Sequence, residues 1–117
     1  MAEYRLGEIE MKFAELIWEN EPIPSGELAK ISLEKLNWKR TTTYTVLKRL
    51  CEKGIFQNNK GTVTSLISKS DFQAKQSEAF VEETFCGSLP SFVAAFVSQK
   101  KLSKEEVEEI KKIIESF

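Results

Sequence analysis

A mainly helical chain with one small β-hairpin is the fold class this sequence predicts. Three observations carry that expectation. Apolar residues recur at helical spacing in six separate stretches. Only residues 55–67 depart from that rhythm, with two short extended runs around a polar, glycine-containing turn. The whole is 117 residues with 41% hydrophobic side chains, enough to fill the core of one small domain.

The first stripe is Ile9, Phe13, Leu16 and Ile17, spaced as one face of a helix over about 7–19 that stops at Asn20-Glu21-Pro22. Ser25 stands where an N-cap belongs, with Glu27 in the first turn to favour the helix dipole. Leu28, Ala29, Leu33 and Leu36 then form a second stripe, ended by Asn37. The third helix is expected over about 41–53, with Thr43, Val46, Leu47 and Leu50 facing inward. Thr41, Thr45, Lys48 and Glu52 point the other way, flanked by Thr42, Tyr44 and Arg49, and Gly54 fits the position that ends the helix.

Ile55-Phe56-Gln57, the turn Asn58-Asn59-Lys60-Gly61, and Thr62–Ile67, rich in β-branched residues, read as the hairpin. Beyond it the chain is helical again. Ser70 with Gln73 forms a capping box for a helix carrying Phe72, Ala79, Phe80 and Phe85, which ends at Gly87. A short helix starts at Ser88 or Leu89, with Leu89, Phe92, Val93 and Phe96 on one face. Ser103 with Glu106 is a second capping box, with Leu102 and Val107 placed as its hydrophobic staple. Val107, Ile110, Ile114 and Phe117 give the last helix a narrow, coiled-coil-like seam.

Helix, helix, helix, hairpin is the order of a winged helix-turn-helix, expected over residues 1–69. Residues 70–117 are then a helical region with more apolar surface than three short helices bury alone, since units below roughly 70 residues rarely build a sufficient core. A second copy of the chain is the economical cover, most often in a twofold dimer. The expected dimerisation surface is Leu89, Phe92, Val93, Phe96, Val107, Ile110, Ile114 and Phe117.

Composition excludes much else. The chain has no histidine, which removes His-based metal sites and His-dependent nucleophilic catalysis. Cys51 and Cys86 are too few for a cysteine-only zinc site, and no metal or cofactor is expected. The apolar run at 92–97 is six residues long where a membrane span needs about 20, and no secretion signal is apparent, so a reduced cytoplasmic protein is expected. The paired glutamates at 105–106 and 108–109 sit among lysines on a polar face, so no enzyme activity is expected. Cys51 reads as packing. Cys86 reads as a lone thiol near a helix end, without a resolving partner.

Charge becomes informative once divided along the chain. Residues 1–36 hold four cations and eight anions, and residues 70–117 six cations and nine anions. Between them, residues 38–60 hold six cations (Lys39, Arg40, Lys48, Arg49, Lys53 and Lys60) and the single anion Glu52. A basic segment confined to the expected third helix and hairpin suits an anionic partner, and double-stranded DNA is the one a helix-turn-helix serves. Thr41, Thr42 and Thr45 are short enough for close approach to a groove and can meet phosphate, base edges or a thymine methyl. Tyr44 can contact phosphate or base. Lys39, Arg40, Lys48 and Arg49 would neutralise phosphates, and Lys60 at the hairpin tip would reach the flanking backbone. Each has a plainer alternative. Thr41 or Thr42 can cap the helix, Tyr44 can cover the domain edge, Lys48 can pair with Glu52, and Arg49 can pair with the acidic first helix. A winged-helix protein-interaction module without specific DNA binding is the rival reading.

Three stretches resemble one family. Leu6-Gly7-Glu8-Ile9-Glu10-Met11 with Ile17-Trp18 resembles the opening of the BlaI/MecI/CopY family of bacterial repressors. Trp38, Thr42, Thr45, Leu47-Lys48-Arg49-Leu50 and Lys53-Gly54 resemble its recognition helix. Gly87-Ser88-Leu89, Phe92-Val93, Phe96, Leu102-Ser103 and Glu108-Glu109-Ile110 resemble its C-terminal region. The resemblance implies a homodimeric repressor on a dyad operator, typically of β-lactam-resistance genes. It also implies release by proteolysis in the dimerisation region, under a membrane metalloprotease sensor. The family's cut falls at an Asn-Phe bond; the matching position here is Ala95-Phe96, with alanine in place of asparagine. The paired Cys-x-Cys motifs of the copper-responsive branch are absent from this sequence, so copper sensing is not expected. Thr62 follows Gly61 where the family wing often carries arginine, which leaves Lys60 as the main wing cation.

Overall fold

The computed structural model describes residues 4–117. Six helices and three short strands follow in the order α1 (Glu8–Asn20), β1 (Ile23–Pro24), α2 (Ser25–Leu36), α3 (Arg40–Glu52), β2 (Phe56–Asn59), β3 (Thr62–Ser65), α4 (Lys69–Phe85), α5 (Leu89–Gln99) and α6 (Lys104–Glu115). The strands form one antiparallel sheet in the order β1-β3-β2. This is the winged-helix arrangement, and the hairpin expected from sequence is its wing.

β1 is an addition to the expected hairpin. It is two residues long, too short for a periodic pattern, and pairs Ile23 with Val63 and Pro24 with Thr62. Both Ile23 and Val63 are buried. The strand also changes how α2 begins. The Ser25 N–H donates to Gly61 O at 2.8 Å, so Ser25 is already the first helical residue and Pro24 takes the cap position without a side-chain bond. Ser25 is therefore not the N-cap that the sequence suggested. Glu21, in the preceding loop, holds the other end of β3: its carboxylate accepts from Ser65 N–H at 2.7 Å and from Ser65 Oγ at 2.8 Å.

The core of this unit is built from Phe13, Ile17, Leu28, Leu47, Leu50, Ile55, Phe56, Val63 and Phe72, drawn from α1, α2, α3, the sheet and α4. Three expected core positions, Ile9, Leu16 and Leu33, lie outside it. Ile9, at the start of α1, and Leu33, on α2, are exposed, while Ser32 is buried in their stead. At about 100° per residue, Leu28, Ser32 and Leu36 fall on one face and Leu33 lies roughly 140° from Leu28. Angle, not hydrophobicity, selects the buried side. Trp18 packs between Phe56 and Phe72, with ring centroids 5.2 and 5.5 Å away, and donates its Nε1–H to Ile67 O at 3.0 Å. That bond fixes the chain at Ile67, and α4 starts directly afterwards. Its cap is Ser68, whose Oγ accepts from the Asp71 N–H at 3.1 Å, rather than the expected box of Ser70 with Gln73.

The chain divides into two compact units, one ending at Ala79 and the other running Phe80–Phe117. In the second, α4 ends with two successive left-handed residues, Cys86 (φ 50°) and Gly87 (φ 80°), and Ser88 caps α5 by accepting from the Ser91 N–H at 3.1 Å. The capping box of Ser103 with Glu106 opens α6 as the sequence predicts, with both bonds at 3.1 Å. Phe80, Phe85, Phe92 and Phe96 form a ring cluster with centroids 5.5–6.2 Å apart, in largely edge-on contacts. Among the described residues, none from Phe80 to Phe117 is buried. Val93, Val97, Ile110, Ile113, Ile114 and Phe117 all lie open.

Candidate nucleic-acid interface

The interface is built on α3 because that helix separates its faces cleanly. Thr43, Val46, Leu47 and Leu50 are buried, as the sequence predicts, and they anchor the helix to the core. Lys39, Arg40, Thr41, Thr42, Thr45, Lys48 and Arg49 are exposed, on the solvent side of α3 and at its start. Lys39 is the N-cap and provides no side-chain cap bond, so neither Thr41 nor Thr42 is tied up as a cap. The Thr45 hydroxyl donates to Thr41 O at 2.9 Å, which leaves its oxygen free to accept and its methyl free for apolar contact. Among the described residues, no ion pair joins Lys48 to Glu52.

Tyr44 stands differently. It is half-buried against the core, and the Arg40 guanidinium lies over its ring, 5.5 Å from the centroid, with Nη2 donating to Tyr44 Oη at 3.3 Å. The tyrosine therefore both covers the domain edge and steadies Arg40. Arg40 Nη2 also sits 3.8 Å from where a Cβ on Gly26 would stand. The start of α3 thus meets the first turn of α2, which is itself bonded to Gly61 in the wing.

The wing turns tightly. Lys60 (φ 53°) and Gly61 (φ 90°) are the two central residues of a hairpin turn between Asn59 and Thr62, the positive-φ pair that suits the twist of the strands. Asn58 Oδ1 accepts from the Gly61 N–H at 3.0 Å and holds the turn closed. Lys60 lies exposed at this tip.

Two residues important to this surface, Glu10 and Lys53, are not among the DNA contacts expected from the sequence. Glu10 on α1 accepts from Arg49 Nη1 at 3.0 Å, so the pairing of Arg49 with the acidic first helix is realised. Lys53, just past α3, donates to Arg5 O at 3.1 Å. Partial burial pushes the Glu10 carboxyl up, but the Gly7 N–H, the Arg49 hydrogen bond and the charges of Lys53 and Arg49 outweigh it. The carboxyl is held below its ordinary value. A carboxylate depressed on folding stabilises the fold above its unfolded pKa and loses that contribution as pH falls through the folded one. The melting temperature of the native chain is therefore expected to fall more steeply on acidification through the carboxylate range than that of Glu10→Gln. Parallel curves would contradict this.

Cys51 is half-buried against the core, as expected of a packing residue, and burial pushes its thiol up. Cys86 is exposed.

A winged helix with an exposed face of threonines and cations on its third helix is the build of a DNA-binding transcription regulator. The comparison with known proteins makes the assignment specific. The chain belongs to the penicillinase repressor family, whose description it matches over residues 6–116. It is similar to the penicillinase repressor of Bacillus licheniformis, at 30% identity over 95% of this chain and 90% of that one. It is also similar to the methicillin resistance regulatory protein MecI of Staphylococcus aureus (strain Mu50), at 27% identity over 95% and 94%. The MecI of Mammaliicoccus sciuri matches at 26% over the same shares. Among the described residues, no single helix is long and apolar enough to cross a membrane.

Proposed function

We propose that the chain is a homodimeric, sequence-specific repressor of a β-lactam-resistance-type operon, acting in the cytoplasm on a dyad operator. The observation that carries this reading is the exposed face of α3, where Thr41, Thr42, Thr45, Lys48 and Arg49 stand on a helix whose opposite side is buried. Each protomer's α3 enters a major groove, with half-sites about one helical turn, or a multiple of it, apart. Lys39, Arg40, Lys48, Arg49 and Lys60 supply phosphate contacts, and the threonines supply base-edge contacts. The names of the relatives support the type of target.

Residues 1–69 are the DNA-binding part in this reading, and residues 70–117 the dimerisation region. The open apolar side chains of α5 and α6 support self-association, because a twofold dimer covers the same surface on both copies. Release follows from cutting at Ala95-Phe96 by a membrane metalloprotease sensor. That bond lies within α5, so the cut requires the helix to open locally first.

Two substitutions test the interface. Arg49→Ala is expected to weaken binding to all DNA and to make the salt slope shallower by about one unit. Thr45→Ala is expected to change sequence preference, read by comparing operator with scrambled duplex in fluorescence anisotropy. Equal losses on both duplexes would reduce Thr45 to a positioning contact.

A further inference from the structure

A carboxylate is built into the basic face of α3. Glu10 is held at both oxygens: Oε1 accepts from the Gly7 N–H at 3.1 Å, at the N-cap of α1, and Oε2 accepts from Arg49 Nη1 at 3.0 Å. The Glu10 side chain is 21% exposed and that of Arg49 is 52% exposed. The acid is thus fixed by the start of α1, while the guanidinium faces solvent with further N–H donors to offer.

A phosphate that reaches Arg49 therefore comes close to a negative charge that cannot swing away without breaking its bond to the Gly7 N–H. Two effects oppose each other there. The carboxylate repels every phosphate alike, whatever the sequence. It also orients the guanidinium, which saves ordering cost where a complex uses that orientation. Loose complexes on random DNA rest on backbone charge and feel mainly the repulsion. A specific complex docks α3 in one register and gains from the orientation.

We propose that Glu10 is a specificity-determining residue of the DNA interface, restraining Arg49 on random DNA while presenting it correctly to the operator. This rests on the DNA-binding reading above. A group that sets discrimination this way lies on α1, outside the recognition helix, and belongs to no base contact.

The test uses the full-length protein, a duplex recovered by selection from fragmented genomic DNA, and a scrambled duplex of equal length. Glu10→Gln keeps an oxygen for the Gly7 N–H and removes the charge. It is expected to bind the scrambled duplex about fivefold tighter at 0.1 M salt, roughly the range of an exposed ion pair. Its operator affinity is expected to stay unchanged or fall, so the operator-to-scrambled ratio drops. In the Arg49→Gln background the same change should leave the ratio alone. An unchanged or higher ratio for Glu10→Gln overturns the proposal, and so does an equal effect without Arg49. Should Glu10→Gln fail to fold, Arg49→Lys carries the test, since it keeps the charge and loses the oriented fork. The ratio should again drop, and an unchanged ratio overturns the proposal. If the native chain shows no preference for any selected duplex, the DNA-binding reading fails and takes this inference with it. If native preference is intact and Glu10→Gln leaves it so, only this inference fails.

Discussion

Replacing Ile110 and Ile114 together by glutamate is expected to yield a monomer whose operator affinity is at least about a hundredfold lower at equal salt. Both side chains are open in the protomer, so their loss costs the single chain little packing. Glutamate is a good helix former, and α6 keeps its capping box of Ser103 with Glu106. What changes is the seam offered to a second copy, where two carboxylates per chain would be brought together in an apolar contact. The effect on DNA is indirect. In a dimer, one bound half holds the other near its half-site at high effective concentration, and a monomer loses that advantage without any change to α3. Sedimentation shows the oligomeric state and anisotropy the affinity. A monomeric variant that binds the operator as tightly as the native chain would sink the dimer mechanism.

Phe72→Ala is expected to destabilise the first unit by about 3–5 kcal/mol, the range for deleting a buried phenylalanine. Its ring is fully buried, 5.9 Å from that of Tyr4 and 5.5 Å from that of Trp18, so truncation opens a cavity bounded by large rings that cannot readily close it. The same change loosens the first turns of α4, which Ser68 and the Trp18–Ile67 bond otherwise hold. Lys75→Ala, exposed on the same helix, is expected within about 0.5 kcal/mol of the native chain. Urea denaturation followed by tryptophan fluorescence measures both. A loss below about 1 kcal/mol for Phe72→Ala would mean that α4 is not part of this core.

The legible parts of the fold are those where spacing alone decides. The buried face of α3 follows from Thr43, Val46, Leu47 and Leu50, and α6 announces its start through Ser103 and Glu106. The illegible parts depend on contacts distant in sequence. β1 exists because Ile23 meets Val63 across 40 positions, and two residues carry no period of their own. Ser68 and Ser70 both precede a plausible partner by three positions; the choice is made by Trp18, which anchors Ile67 from α1. Leu33 looks more like a core residue than Ser32 does, and only the geometry of α2 against α3 reverses them. In the candidate interface the exposed cations were readable as a charge segment. The partner of Arg49 was readable only as the acidic first helix in general, because 39 positions separate Glu10 from Arg49 and three other glutamates share that helix.

The central claim is that the exposed face of α3 reads a dyad sequence on behalf of two copies of the chain. Selection of bound fragments from genomic DNA at near-physiological salt tests it most directly. The expected result is a recovered dyad, with half-sites about one helical turn or a multiple of it apart, upstream of a resistance-type operon. Recovery of DNA without any preferred sequence would contradict the claim and leave the basic segment of residues 38–60 as a charged surface for another partner.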